Sequence, residues 1–145
     1  MRIWREKLKA IAREFNPMKL SEKVKKLIDG KNIATVATLM PDGSPQISPV
    51  WIDRDGDTIL LNATGGRQKT RNLKRDARIA ISIFDQSNPY DKALIRGKVV
   101  EISDRGAEDH IDKLNMKYHG TPKYPYHTPD DPRVLIKVDA ARVSD

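Results

Sequence analysis

Apolar residues at Ile3, Trp4, Leu8, Ile11, Ala12 and Phe15 recur every three or four positions, opposite Arg2, Lys7, Lys9 and Arg13. That period predicts an amphipathic helix, which Asn16-Pro17 ends because proline cannot continue it. Ser21 is a candidate N-cap for a second, shorter helix. That helix runs through Val24, Leu27 and Ile28 to Gly30, a glycine suited to a left-handed C-terminal cap. From Ile33 the pattern changes to runs rich in β-branched residues, bounded by turn chemistry. The runs are IATVATL at 33–39, QISPVWID at 46–53, TILLNAT at 58–64, RIAISIFD at 78–85, ALIRGKVVEIS at 93–103 and a last strand at 134–143. Pro41-Asp42-Gly43 and Asp55-Gly56 make turns, Pro49 marks an edge or bulge, and Gly97 predicts a bend. Helices interrupt the strands at 67–76 and 107–118, and a loop of Pro and aromatic residues fills 120–132.

Six strands with hairpin connections and few helices predict a mostly β chain with flanking helices, a six-stranded antiparallel barrel closed on itself. The expected organisation is an N-terminal amphipathic helix extension at 1–16 and one barrel domain at 17–145. No internal repeat or low-complexity stretch alters it.

Composition narrows the chemistry. The chain has no cysteine, which excludes disulfides, thiolate metal sites and cysteine nucleophiles. No apolar run reaches the roughly 18 residues of a membrane span, and the charged N-terminus lacks the apolar core of a secretory signal; a cytoplasmic protein is expected. The formal net charge is +7. It is unevenly placed: ten basic and four acidic residues fall within 1–31, and between Arg67 and Arg78 six basic residues accompany the single acid Asp76.

That second cluster belongs to NATGGRQKTRNL, residues 62–73, where a strand ends, two glycines free the backbone and a basic helix begins. Helix N-terminal amides attract anions, glycines let a phosphate approach the main chain, and Lys69, Arg67 and Arg71 add charge and forked donors. Asn72 is a further candidate donor. The residues alone leave a solvated basic helix equally open, since this is neither a Walker loop nor GxGxxG. In SPQISPVWID, residues 44–53, Pro45 and Pro49 interrupt pairing and free main-chain groups that can read a flat ring; Trp51 either lines that ring or belongs to the core. The histidines His110, His119 and His127 do not show metal-ligand spacing. His110 reads as helix surface, His127 is a candidate for a pocket, and Tyr118, Tyr124 and Tyr126 either wall a cleft or pack in the interior.

In this order the segments resemble the pyridoxamine 5′-phosphate oxidase-like, FMN-binding split-barrel superfamily, most closely its deazaflavin (coenzyme F-420)-dependent oxidoreductase group. The matching pieces are ATLMPDGSPQISPVWID, DGDTILLNAT, GRQKTRNLKRDARIAIS, NPYDKALIRGKVVEI, the His-Ile-Asp-Lys-Leu and Tyr-His-Gly segments, and RVLIKVDAARV. The resemblance implies a homodimeric split barrel with two cofactor sites at the subunit interface. It implies a phosphate on Lys69 with Arg67, Thr70 and Asn72 beside it. It implies a ring along Ser48, Pro49, Val50 and Trp51, with Asn62, Ala63 and Thr64 on the adjacent strand, and Asn88, Pro89 and Tyr90 arriving from the other subunit. The cofactor would be the deazaflavin coenzyme F-420, with FMN as the alternative; the acidic deazaflavin tail would find further cations at Lys74, Arg75 and the leading helix. True pyridoxamine phosphate oxidases carry Ser-Arg-Lys where this chain has Arg67-Gln68-Lys69, and extend past the closing strand, so that specific oxidation is not expected.

The implied activity is an oxidoreductase passing hydride to or from a small unsaturated or quinone-like substrate. Such chemistry belongs to the cofactor ring and needs no catalytic side chain. A non-catalytic flavin carrier would look the same in sequence. A nucleic-acid-binding barrel is the further alternative, disfavoured because aromatics are only 6% of the chain and no stacking platform is evident.

Overall fold

The structure, a computed structural model, describes residues 5–8 and 17–145. Among the described residues seven antiparallel strands form one sheet: β1 (Ala34–Leu39), β2 (Pro45–Val50), β3 (Asp53–Asp55), β4 (Thr58–Thr64), β5 (Arg78–Asp85), β6 (Asn88–Ser103) and β7 (Arg133–Ser144). They pair in the order β2-β1-β5-β6-β7-β4-β3. Among the described residues β2 and β3 are the two free edges, although they adjoin in sequence. The barrel is therefore split, as the family resemblance implies, rather than closed on itself, and among the described residues it has seven strands rather than six. The stretch expected as one strand at 46–53 divides at Trp51-Ile52, where the chain leaves one edge and starts the other. Both prolines of β2 sit on this edge, where their missing N–H costs least.

The central strands carry the common core, some by alternation and one by a continuous apolar run. In β5 the buried positions are Ile79, Ile81 and Ile83, and in β4 the continuous apolar run Ile59, Leu60, Leu61 is buried throughout. Gly97 is where β6 shifts register against β7. A Cβ there would lie 2.5 Å from the Asp139 carbonyl oxygen, so only glycine fits the bulge.

Among residues 17–145, three helices cover the sheet. α1 (Glu22–Asp29) starts at Ser21, whose Oγ accepts from the Val24 amide at 3.3 Å, and buries Val24, Leu27 and Ile28. Gly30 ends it with φ of −74°, not in the left-handed conformation expected. Here the Asn32 amide occupies the space beside the glycine and caps the Leu27 carbonyl at 2.9 Å. α2 (Gln68–Arg75) packs on β1, with Leu73 and Thr70 fully buried beneath it. α3 (Ala107–His119) lies against β4 and β7, flanked by the left-handed glycines Gly106 and Gly120.

The leading helix falls largely outside the described residues. Residues 5–8 are helical. Leu8 joins the core, and Lys7 Nζ donates to the Arg75 carbonyl at 2.9 Å. No helix among the described residues is long and apolar enough to cross a membrane.

Candidate functional site

A groove of ≈ 930 Å³ opens where the split edge, the end of β4, the start of α2 and the loop after α3 converge. Of the residues singled out in the sequence, Ser48, Pro49, Val50, Trp51, Asn62, Ala63, Thr64, Arg67 and Lys69 line it. Register explains the meeting. β4 runs toward α2, so Asn62 and Thr64 deliver the chain to Arg67 and Lys69, while β2 ends at Val50 and turns past the same corner.

One end of the groove is cationic. Arg67, Lys69 and Arg133 share it, and among the described residues none of the three forms an ion pair. Arg133, opposite Thr64 in the β4–β7 ladder, was not legible in the sequence because it lies on a strand distant in the chain. Its Nη1 donates to Asn62 Oδ1 at 2.9 Å, and its guanidinium carbon stands 4.6 Å from the Tyr124 ring centre. Burial, then the charges of Arg67 and Arg133, push the Lys69 ammonium below its ordinary range. Like charges gathered in a partly desolvated corner repel one another, and the Asp131 carboxylate nearby offsets part of the charge of Arg67 and Arg133.

The other end is aromatic. Trp51 stacks on Tyr118 with ring centres 5.1 Å apart and planes 8° apart, and Tyr124 and Tyr126 complete the wall. Tyr118 itself does not line the groove. Its hydroxyl donates to the Asn32 carbonyl at 2.7 Å and accepts from the Ile52 amide at 3.2 Å, which fixes Trp51 from behind. Lys117 ties the same junction by donating to the Ile28 and Ile52 carbonyls, and burial pushes its pKa down to about 8. Ile33, Ile111, Leu114, Asn115, His119, Thr121 and Pro125 also line the groove. His127 stays outside, 3.3 Å from Glu108 Oε2 and edge-on to Tyr124. Ser48 Oγ is the only buried side-chain oxygen or nitrogen without a partner among the described residues. An orphaned hydroxyl, a strip of interrupted main chain and a cationic end fit a planar heterocycle carrying a phosphate.

Several expectations are corrected. The Gly65-Gly66 bend is not open to a phosphate: Asp131 Oδ1 accepts from the Gly66 amide at 2.8 Å. A Cβ on Gly66 would stand 2.9 Å from the other carboxylate oxygen, so this glycine makes room for Asp131. The Thr64 hydroxyl, then the Gly66 amide, hold that carboxyl below the usual range. Thr70 and Asn72 are fully buried and do not line the groove. Thr70 Oγ1 donates to the Thr64 carbonyl at 2.8 Å, and Asn72 donates to Thr38 Oγ1 at 2.9 Å while accepting from Gln68. Arg71 bonds the Gly66 carbonyl and Gln68. Lys74 and Arg75 do not line the groove either, and Arg75 bonds the Leu39 carbonyl and Asn72. Asn88, Pro89 and Tyr90 stand apart from these corrections: expected to arrive from the other subunit, they are exposed at the start of β6 and do not line this chain's own groove, with Tyr90 86% exposed. His110, expected at the surface, is buried. No group of three or more metal-ligating side chains occurs among the described residues.

Comparison with known proteins agrees with this architecture. A family model described as pyridoxamine 5′-phosphate oxidase matches residues 20–145. Among solved structures, the chain is similar to an F-420 reductase at 31% identity, with a TM-score of 0.77 over 86% of this chain and 98% of that one. A conserved hypothetical protein from Mycobacterium tuberculosis shares 22% identity, with a TM-score of 0.65 over 89% and 86% of the two chains. HupZ of Group A Streptococcus shares 22%, with a TM-score of 0.61 over 86% and 91%. At 22% identity these last two share the fold.

Proposed function

The chain belongs to the pyridoxamine 5′-phosphate oxidase family, and from that premise we propose that it is a flavin- or deazaflavin-dependent oxidoreductase acting on a small unsaturated or quinone-like substrate. The observation that carries this reading is the crowding of Arg67, Lys69 and Arg133 at one end of a groove whose other wall is the Ser48–Trp51 strip. In this reading the three cations hold the cofactor phosphate, by point charge from Lys69 and by forked donation from the arginines. Ser48 Oγ and the main chain around Pro49 read one edge of the ring. Trp51, braced by Tyr118, supplies a rigid apolar wall, and Tyr124 and Tyr126 restrict water at the open side. The bound ring supplies hydride transfer; the protein binds, orients and shields it.

The deazaflavin coenzyme F-420 is the preferred ligand in this proposal, supported by similarity to an F-420 reductase, with FMN the alternative. A homodimer completes the site. Ile47, 69% exposed, together with Leu94 and Phe84, leaves an apolar outer sheet surface for a second copy, and Asn88–Tyr90 of that copy would approach the ring. Titration of the purified protein with F-420 and with FMN, read by fluorescence quenching, tests the proposal. Saturable binding of one of them in the micromolar range or tighter is expected, and no saturable binding of either would overturn it.

A further inference from the structure

Behind the cationic end of the groove runs a chain of four side chains, Asp53, His110, Asn62 and Arg133, of which only the last two reach the groove. We infer that His110, held by Asp53, is a positioning residue that orients the Asn62 amide and, through it, the Arg133 guanidinium over the anion seat. The inference rests on the cofactor reading for its purpose, but its geometry stands alone.

Donor and acceptor chemistry leaves one arrangement. The Asn62 amide nitrogen lies 2.8 Å from the Ala107 carbonyl, which only accepts. The Asn62 oxygen lies 2.9 Å from Arg133 Nη1, which only donates. Both ends thus assign the amide the same way round. Its nitrogen is also 3.2 Å from His110 Nδ1, so that ring nitrogen must be the bare acceptor. His110 Nε2 lies 3.1 Å from Asp53 Oδ2 and carries the proton. Lys113 Nζ, 3.3 Å from the same oxygen, helps hold the carboxylate charged. Flipping the amide or shifting the histidine proton would set donor on donor or acceptor on acceptor.

This arrangement separates His110 from a catalytic His–Asp dyad. In such a dyad the second ring nitrogen faces the reacting group; here it is consumed by Asn62. The side chain is 7% exposed and does not line the groove. The consequence falls on Arg133, which has a competing attraction in Asp131, the carboxylate on the Gly66 amide. Without the Asn62 oxygen, Arg133 relaxes toward Asp131 and away from the incoming anion.

Two measurements test this. In the ligand-free protein labelled with ¹⁵N-histidine, NMR should find His110 neutral, with Nδ1 bare and Nε2 protonated; the opposite tautomer would overturn the assignment whether or not any flavin binds. Second, FMN titration should find His110→Leu about three- to tenfold weaker than wild type, the scale of one lost hydrogen bond. His110→Asn, whose amide can still accept from Asn62, should recover most of that loss. Asn62→Ala should reproduce the weakening with the histidine and its Asp53 contact retained, which covers failure of His110→Leu to fold. Equal loss in the leucine and asparagine variants, or unchanged affinity for Asn62→Ala, would refute the relay. A wild type that binds neither cofactor would instead count against the proposed function.

Discussion

Two grooves of similar size cut the sheet, one of ≈ 930 Å³ at the split edge and one of ≈ 850 Å³ along the outer surface of β1, β5 and β6. Volume does not distinguish them; their chemistry does. The first gathers three cations, an orphaned hydroxyl and a braced aromatic wall. The second is lined by small or apolar residues such as Ala37, Ala80, Ile47 and Leu94, flanked by Arg96 and Arg142. Unpaired polar groups in a concave corner call for a specific ligand, whereas exposed aliphatic residues on a pleated surface call for a second protein surface. The first groove therefore suits the proposed cofactor, and the second the proposed copy of this chain.

The largest expected effect breaks that assignment at the second groove. Ile47→Glu combined with Leu94→Glu should convert a dimer to monomer in light scattering. If Asn88–Tyr90 of a second copy complete the site, cofactor binding falls with the dimer; a monomer that binds equally well would make each groove self-sufficient. Next, Lys69→Ala should weaken cofactor binding by about 1.5–3 kcal/mol, as for a hydrogen bond to a charged group, and leave the dimer intact. Asn72→Ala should do the reverse, lowering stability by about 1–3 kcal/mol in urea unfolding while affinity stays within twofold, because it leaves buried partners unsatisfied without touching the groove.

The smallest effect is a fraction of a proton. Burial and two arginines lower the Lys69 pKa in the free protein, and a bound phosphate would raise it again. Binding then takes up a proton between the two values, so affinity falls as pH rises through that window toward the ordinary lysine range of about 10.4. Calorimetry at alkaline pH in buffers of different ionisation enthalpy should register this uptake in wild type and not in Lys69→Ala.

Much of the first groove was legible in the sequence, and the misreadings have physical reasons. Arg78–Asp85 declares itself because its alternation and bounding turns agree, and Thr58–Thr64 because a short apolar run lies between turn signals. Lys69 stood out as charge beside glycine. Asn72 was misread because a polar residue in a basic helix looks solvent-facing. The helical face it shares with Gln68, one turn earlier, turns toward Thr38, a contact that depends on how the helix docks. The diglycine misled for a related reason, since an anion does sit there but comes from Asp131, 65 residues on. Arg133 and His110 were missed as site residues because strand pairing and helix packing bring them to Asn62 from distant parts of the chain.

The cationic end of the groove is the central claim, and comparing FMN with riboflavin, the same ring without its phosphate, tests it most directly. Equilibrium titration should give FMN an affinity at least about tenfold higher in wild type, with the gap closing in Lys69→Ala and Arg133→Ala. Equal affinity for the two flavins in wild type, or a gap untouched by both substitutions, would contradict the account.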